Sequence, residues 1–219
     1  MNRSLRLGYR CWVGFVLWGL WAVAQANTFQ QDKHYKLIDP PQTTADSSEV
    51  EVIELFWYGC PHCYRFDPYI KAWLKKPVKG MTFRHFPAIF SKRWVSHARV
   101  FYTAEALGLS KVVHQPFFEA IHKDRKAMTS DSELITFFTQ HGVSEKDFLE
   151  TFRSFGVESK VQRARMMTKR YQSSGVPAMV VDGRYRTDGG MAGGYNEMLE
   201  VVEFLVDKVR EERVSSTQE

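Results

Sequence analysis

Two cysteines, Cys60 and Cys63, stand two residues apart directly after an apolar run. A pair at this spacing can close and open a disulfide, provided that one thiol is reactive enough to exchange. The run from Val50 to Tyr58 is rich in β-favouring residues and predicts a buried strand, whereas the residues after Cys60 follow helical spacing. Cys60 is therefore predicted at a helix N-terminus, where unpaired N–H groups and the helix dipole lower the pKa of a thiol.

The residues around Cys60 fit the same chemistry. Pro61 suits the first helical turn, where its missing N–H leaves no hydrogen bond unmade, and His62 adds a donor or a partial positive charge. Cys63, one turn further in, is expected to be the shielded, resolving thiol. A stabilised Cys60 thiolate is also a good leaving group, so the disulfide would be readily reduced and would oxidise other thiols.

A structural disulfide and a metal site are the two other roles open to the cysteine pair. A disulfide that closes so small a loop would constrain the unfolded chain little. A structural zinc site usually needs four ligands, but there is no second cysteine pair and the other histidines follow no zinc-binding spacing. The spacing therefore favours redox chemistry, and no metal site is predicted.

Residues 1–26 have the pattern of a cleavable signal peptide. Three arginines precede an apolar stretch over residues 11–24, which is shorter than the roughly 20 residues that span a bilayer, and Ala24-Gln25-Ala26 resembles a cleavage site. An uncleaved membrane anchor is the alternative. Cleavage before Asn27 would remove Cys11 and lower the net charge from +5 to +2, because the segment holds three Arg and no acid. So small a charge does not indicate a nucleic-acid partner.

The predicted elements after residue 49 form a β-α-β unit, a helical region and a second β-containing unit. Hydrophobic residues make up 44% of the 219-residue chain, which is ordinary for a globular protein. The pattern predicts a second strand over 81–86, an all-helical region over 89–165, a hairpin over 178–186, a glycine-rich loop over 189–194 and a final amphipathic helix. Within the helical region, helices are predicted over 96–107, from the Ser130–Glu133 capping box to Gly142, from Ser144 to Gly156, and over 159–171.

Two blocks of sequence resemble the DsbA family of periplasmic thiol–disulfide oxidoreductases. One is Phe56–Phe66, which contains Cys-Pro-His-Cys, and the other is Gly175–Tyr185. The helical region between them matches the family's inserted domain in place and length. The resemblance implies an α/β thioredoxin fold, formed by residues 27–88 and 166–219, with an all-helical insertion domain over 89–165.

The resemblance also implies a substrate-binding loop. In thioredoxin-like proteins the proline that corresponds to Pro177 is cis and faces the cysteine pair, so the backbone of Val176 would pair with an extended substrate strand. This mode of binding recognises the main chain of the substrate rather than its side chains, so many different substrates can bind. An ordinary loop proline before a strand is the alternative.

Glu54 lies within the apolar strand, where a carboxylate is costly unless it is paired or protonated. The resemblance implies a buried acid that relays protons for the resolving thiol; an acid on a partly exposed strand face is the alternative. Phe83 stands where family members often carry a lysine partner, and Arg84 or His85 could substitute for it. His85 and His97 are otherwise interpreted as structural histidines.

The function implied is that of an exported enzyme that donates its Cys60–Cys63 disulfide to newly exported proteins through a mixed disulfide. A DsbB-type, quinone-linked membrane oxidase would reoxidise it, no further cofactor is expected, and a monomer is expected. An exported reductase or isomerase is an alternative, although the short stretch between Ala26 and Val50 leaves no room for an isomerase's dimerisation domain. A thiolate metal-binding module is the alternative from a different class.

Overall fold

The computed structural model describes residues 29–44, 48–76 and 78–216. The predicted signal peptide lies outside this part of the chain. None of the helices in it is long and apolar enough to cross a membrane.

A mixed sheet of five strands forms the centre of the described chain, in the order β1-β5-β4-β2-β3. The strands are β1 Lys36–Leu37, β2 Val50–Phe56, β3 Met81–Pro87, β4 Ala178–Val181 and β5 Tyr185–Asp188. β2 and β3 run parallel, and the other neighbouring pairs are antiparallel. Every residue of β2 is buried, which explains why its sequence is a dense apolar run. β1 was not predicted, because it has only two residues and both are exposed.

Eight helices surround the sheet in the described part of the chain. They are α1 Pro61–Trp73, α2 Lys92–Ala106, α3 Ser110–His122, α4 Asp131–Gln140, α5 Glu145–Phe152, α6 Phe155–Arg170, α7 Gly189–Ala192 and α8 Tyr195–Ser216. α2 to α5 and most of α6 fall within 89–165, so the region predicted to be helical is helical. Its status as a separate domain stays a prediction.

The two faces of the sheet bury different hydrophobic clusters. Side chains of β2 alternate between the faces, so Val50 and Val52 pack with α1 and α8, whereas Ile53 and Leu55 pack with α2 and α6. A third cluster joins the start of α1 to α3, α4 and α5. The apolar face predicted for the final helix is buried in the first cluster, as its periodicity indicated.

Serine side chains cap the starts of α4, α5 and α6, whereas α2 and α3 begin without a side-chain cap. The predicted capping box is present: Ser130 Oγ accepts from the Glu133 N–H, and the Glu133 carboxylate accepts from the Ser130 N–H. The prediction that Gly156 ends a helix is wrong. α5 ends at Phe152, and Gly156 lies in the first turn of α6 because Ser154 caps the Val157 N–H.

The β4–β5 hairpin turns at Asp182 and Gly183, which have φ values of 55° and 63°. Positive φ at both central residues is the geometry that the Asp-Gly pair predicts. The Gly183 carbonyl also accepts a 2.9 Å hydrogen bond from the Gln42 N–H. A Cβ added at Gly183 would collide with the carbonyl oxygen of Gln42. The turn therefore needs glycine for conformation and for space.

We expect Gly183→Ala to lower the free energy of unfolding by roughly 3 kcal/mol, because it adds a collision to the strain of a left-handed residue. Gly142→Ala is the matched control: Gly142 has φ 85° and open space around it, so only about 1 kcal/mol should be lost. Urea unfolding measures both. Equal losses for the two variants would show that the contact with Gln42 is unimportant.

Candidate active site

Cys60 is the N-cap of α1, as its position after the strand predicted. Its φ and ψ are −89° and 116°, and its Sγ accepts from the Cys63 N–H at 3.4 Å. Pro61 begins the helix, and the Cys60 N–H donates to the Trp57 carbonyl at 2.9 Å. The sulfur of Cys60 therefore occupies the place of a capping oxygen, where the N–H groups of the first turn stabilise an anion.

The two cysteines are free thiols with opposite environments. Cys60 is 7% exposed and Cys63 is fully buried. The hydrogen bond from the Cys63 thiol, helped by backbone N–H groups of the first turn and the charge of His62, lowers the pKa of Cys60 to about 6 against the effect of burial. Burial raises the pKa of Cys63, and donation to Cys60 and the nearby Glu54 raise it further. One reactive and one protonated thiol result.

His62 is exposed beside the pair and is held on two sides. Its Nδ1 lies 3.0 Å from an Arg65 guanidinium nitrogen, and its carbonyl accepts from the Tyr195 hydroxyl at 3.1 Å. Tyr195 begins α8 and was not singled out in the sequence, because nothing local connects it with a residue 133 positions earlier. The first turn of α1 is thus fastened to the last helix.

The loop before β4 meets Cys60, as predicted for Val176 and Pro177. The Val176–Pro177 peptide bond is cis, and the Cys60 thiol lies 3.5 Å from the Val176 carbonyl oxygen, to which it donates. Pro177 is buried and Val176 is partly exposed. An open groove of about 500 Å³ lies beside them, bordered by His62, Tyr195 and the loop around Gly189. An extended chain could lie in this groove within reach of the Cys60 sulfur.

Glu54 is only 2% exposed, so the interpretation as an acid on a partly exposed face is wrong. His85 stands opposite it in the parallel β2–β3 register, and its Nδ1 lies 2.6 Å from Glu54 Oε2. Arg84 instead pairs with Glu51 at 2.7 Å. His85 is therefore the partner of the acid. Burial raises the pKa of Glu54, although the hydrogen bond from His85 opposes the shift.

A second polar group lies next to His85 and carried no local signal in the sequence. The rings of His85 and His114 stack with centroids 4.4 Å apart, and the Tyr58 hydroxyl lies 3.0 Å from His114 Nδ1. Asp67 Oδ1 lies 3.5 Å from His114 Nε2, and Oδ2 lies 2.7 Å from Lys71 Nζ. Burial lowers the pKa of His114 to about 4; Asp67 is also buried, but His114 and Lys71 together lower its pKa.

The geometry around Cys60 suits thiol–disulfide exchange. The known proteins to which this chain is similar carry out the same chemistry, as their names state. A model of the DsbA-like thioredoxin domain matches residues 79–205. The thiol:disulfide interchange protein DsbA of Azotobacter vinelandii is 44% identical over 166 residues, which cover 76% of this chain and 78% of that protein. The protein of the same name from Pseudomonas aeruginosa is 40% identical over 187 residues, 85% of this chain and 89% of its own.

The chain belongs to the DsbA family. Solved structures of this family confirm the expected thioredoxin fold. The crystal structure of Pseudomonas aeruginosa DsbA has a TM-score of 0.80 at 38% identity and covers 84% of this chain and 96% of that one. The structure of DsbA from Xylella fastidiosa has a TM-score of 0.76 at 32% identity, and the match covers 81% of this chain and 96% of that one. Curated relatives named for thiol:disulfide interchange make this chain a disulfide oxidoreductase by family.

The lowered pKa of Cys60 predicts how the stability of this DsbA-family protein depends on pH. Folding lowers this pKa from 9.0 to about 6, so between pH 6 and 9 the unfolded reduced chain holds a proton that the folded one has lost. The free energy of unfolding of the reduced protein, measured relative to the oxidised protein, should therefore rise from pH 6 to 9. The gain should disappear as the pH falls through 6.

Urea unfolding of both redox forms over this pH range measures the difference, and the subtraction cancels groups that titrate alike in both. Reduced Cys60→Ser is the control, because it keeps Cys63 and should show no such rise. A difference that stays flat from pH 6 to 9 in the wild type would contradict the lowered pKa.

Proposed function

We propose that this DsbA-family protein is exported and donates its Cys60–Cys63 disulfide to other exported proteins as they fold. The observation that carries the proposal is the place of the Cys60 sulfur, at the N-terminus of α1 and 3.5 Å from the Val176 carbonyl. The same sulfur is stabilised as a thiolate and faces the chain segment best suited to hold a substrate.

The exchange proceeds in two displacements. A substrate thiolate attacks Cys60 Sγ in the oxidised enzyme, so a substrate–Cys60 bond forms while the Cys60–Cys63 bond breaks and Cys63 leaves with the electron pair. A second substrate thiolate then attacks the substrate sulfur of this mixed disulfide. Cys60 leaves as a thiolate, the substrate is oxidised and the enzyme holds two reduced cysteines. The N-terminus of α1 favours the second step because it stabilises the leaving group.

Cys63 must gain a proton when it leaves, because its burial raises its pKa. We assign Glu54 as the group that supplies this proton: it is buried near Cys63 and its own pKa is raised. His85 holds the carboxyl at 2.6 Å and is itself partly exposed, so it connects Glu54 with the surface. Pro61 fixes the first turn, and His62 favours the Cys60 thiolate by its charge.

Substrate is proposed to bind as an extended strand whose backbone pairs with Val176 next to cis-Pro177. The groove bordered by His62 and Tyr195 continues from this point and is open to solvent. Main-chain pairing explains how one enzyme could accept many unfolded proteins with free thiols.

The remaining proposals concern location and partners. Residues 1–26 are proposed as a signal peptide that directs the protein to the periplasm. There a DsbB-type, quinone-linked membrane oxidase would restore the disulfide. The protein is proposed to act as a monomer, to need no cofactor for the exchange besides its own disulfide, and to have no nucleic-acid partner.

Cysteine variants test the order of the two displacements. Cys60→Ser should abolish oxidation of a reduced, unfolded substrate, because the variant cannot form the disulfide that the substrate thiolate attacks. Cys63→Ser should instead accumulate mixed disulfides when the Cys60 thiol is presented with oxidised substrate, since the resolving thiol is missing. Non-reducing electrophoresis and mass spectrometry detect the adducts. Full activity in both variants would rule out the mechanism.

The reduction potential separates a disulfide donor from a reductase. Equilibration with glutathione, followed by the fluorescence of Trp57 next to the site, should give a potential well above the value of about −270 mV typical of thioredoxin. A thioredoxin-like value would instead make the protein an exported reductase on the same fold.

A further inference from the structure

A second surface groove, separate from the one beside Val176, lies between α1, β3 and α3. Three side chains from these three elements meet below it. Asp67 comes from α1, His85 from β3 and His114 from α3, and one ligand-type atom of each lies within 4.8 Å of the other two. Asp67 Oδ1 and His114 Nε2 are buried without a hydrogen bond of acceptable geometry from any described residue, whereas Asp67 Oδ2 has the Lys71 ammonium 2.7 Å away. Buried polar atoms normally have such partners, so Oδ1 and Nε2 call for an explanation.

The spacing of these atoms fits metal coordination better than hydrogen bonding. Asp67 Oδ1 and His114 Nε2 are 3.5 Å apart, which is long for a hydrogen bond. Two ligands on one tetrahedral zinc ion, with bonds of about 2.0–2.1 Å, are about 3.3 Å apart. The gap between Asp67 and His114 is therefore close to the distance between two ligands of one ion.

In both histidines, Nδ1 already has the kind of partner that the non-ligating nitrogen of a metal-binding histidine usually has. His85 Nδ1 contacts the Glu54 carboxylate at 2.6 Å, and His114 Nδ1 contacts the Tyr58 hydroxyl at 3.0 Å. A ligating imidazole usually bonds a carboxylate or another polar group through its second nitrogen, which fixes the ring and its tautomer. In each ring here, Nδ1 has such a partner and Nε2 is the nitrogen left for an ion.

An ion can reach these atoms from solvent. His85 and His114 line a groove of about 480 Å³ at the surface, and the His85 side chain is 24% exposed. The two rings stack with 28° between their planes, so coordination requires the His85 ring to tilt towards Asp67. Lys71, half exposed beside Asp67 Oδ2, can move into solvent when the ion neutralises the carboxylate.

We propose that Asp67, His85 and His114 form a zinc site, with the groove supplying a water as the fourth ligand. Two imidazoles and one carboxylate are ligands that Zn²⁺ accepts, and a fourth position open to solvent completes a tetrahedron. The ion would tie α3, from the helical region, to α1 and β3 of the sheet unit. This site does not include the cysteine pair, but it shares His85 with Glu54: zinc on Nε2 would leave the Nδ1 contact with Glu54 in place and close the route from that carboxyl to the surface.

Zinc titration of the oxidised protein tests the site, because the Cys60–Cys63 disulfide removes both thiolates as competing ligands. We expect one Zn²⁺ per chain by calorimetry and a higher unfolding temperature with Zn²⁺, since an ion that binds only the folded state stabilises it. His85→Gln and His114→Gln should each weaken binding at least about 100-fold, more than the loss of an outer partner of a ligand costs. His141→Gln, a histidine of the helical region away from the groove, should leave binding unchanged.

A measurement on the wild type makes the test independent of how the variants fold. In the oxidised protein with labelled histidines, Zn²⁺ should shift the imidazole nitrogen resonances of His85 and His114 and leave those of His97 and His141 in place. Binding that survives His85→Gln, resonances of His85 and His114 that do not respond, or no binding by the oxidised wild type would each overturn the proposal.

Discussion

The structure depends on keeping one sulfur anion stable at the N-terminus of α1. This requires the helix to begin at Pro61 and no later, because one residue of shift would move the Cys60 sulfur out of reach of the first-turn N–H groups. β2 fixes that point: it is buried along its whole length and bonded on both sides, so its end at Phe56 cannot move. The Cys60–Trp57 backbone bond and the contact of Tyr195 with the first turn add further restraint.

The same arrangement places the carboxyl of Glu54 near Cys63, in a position where burial makes a charged carboxylate costly. The cost is limited because β3 brings His85 opposite Glu54 at hydrogen-bond distance. A histidine differs here from a lysine because it contacts the carboxyl through one ring nitrogen, Nδ1, while its flat ring packs against Phe56 and Phe83. The partner of the buried acid is therefore also part of the aromatic packing around it.

Local patterns were sufficient for features whose cause is local. The start of β2, the N-cap at Cys60, the capping box at Ser130 and the Asp182-Gly183 turn each arise from residues close in sequence, and each was predicted. The predicted end of β2 at Tyr58 was wrong, because the strand ends at Phe56. The cis loop at Pro177 was expected only because two blocks resembled a known family. The prediction that a helix ends at Gly156 was wrong because a single glycine can either end one helix or lie in the first turn of the next. Here the cap at Ser154 places Gly156 in the first turn of α6.

Contacts between distant elements could not be predicted in the same way. The choice of His85 over Arg84 depends on strand alternation in an exact register, and Tyr195 meets His62 only after α8 has packed. Asp67 and His114 lie in helices whose sequences show ordinary amphipathic patterns. Their meeting is decided by how α3 packs on α1, which no spacing rule describes.

The contact between Cys60 and Val176 joins residues 116 positions apart. The strand that ends just before the cysteine pair, β2, has β3 and β4 as its neighbours, and the loop that faces the sulfur leads directly into β4. The two parts of the site therefore meet only when β4 pairs with β2, so the complete site is a product of long-range strand pairing and cannot form from either segment alone.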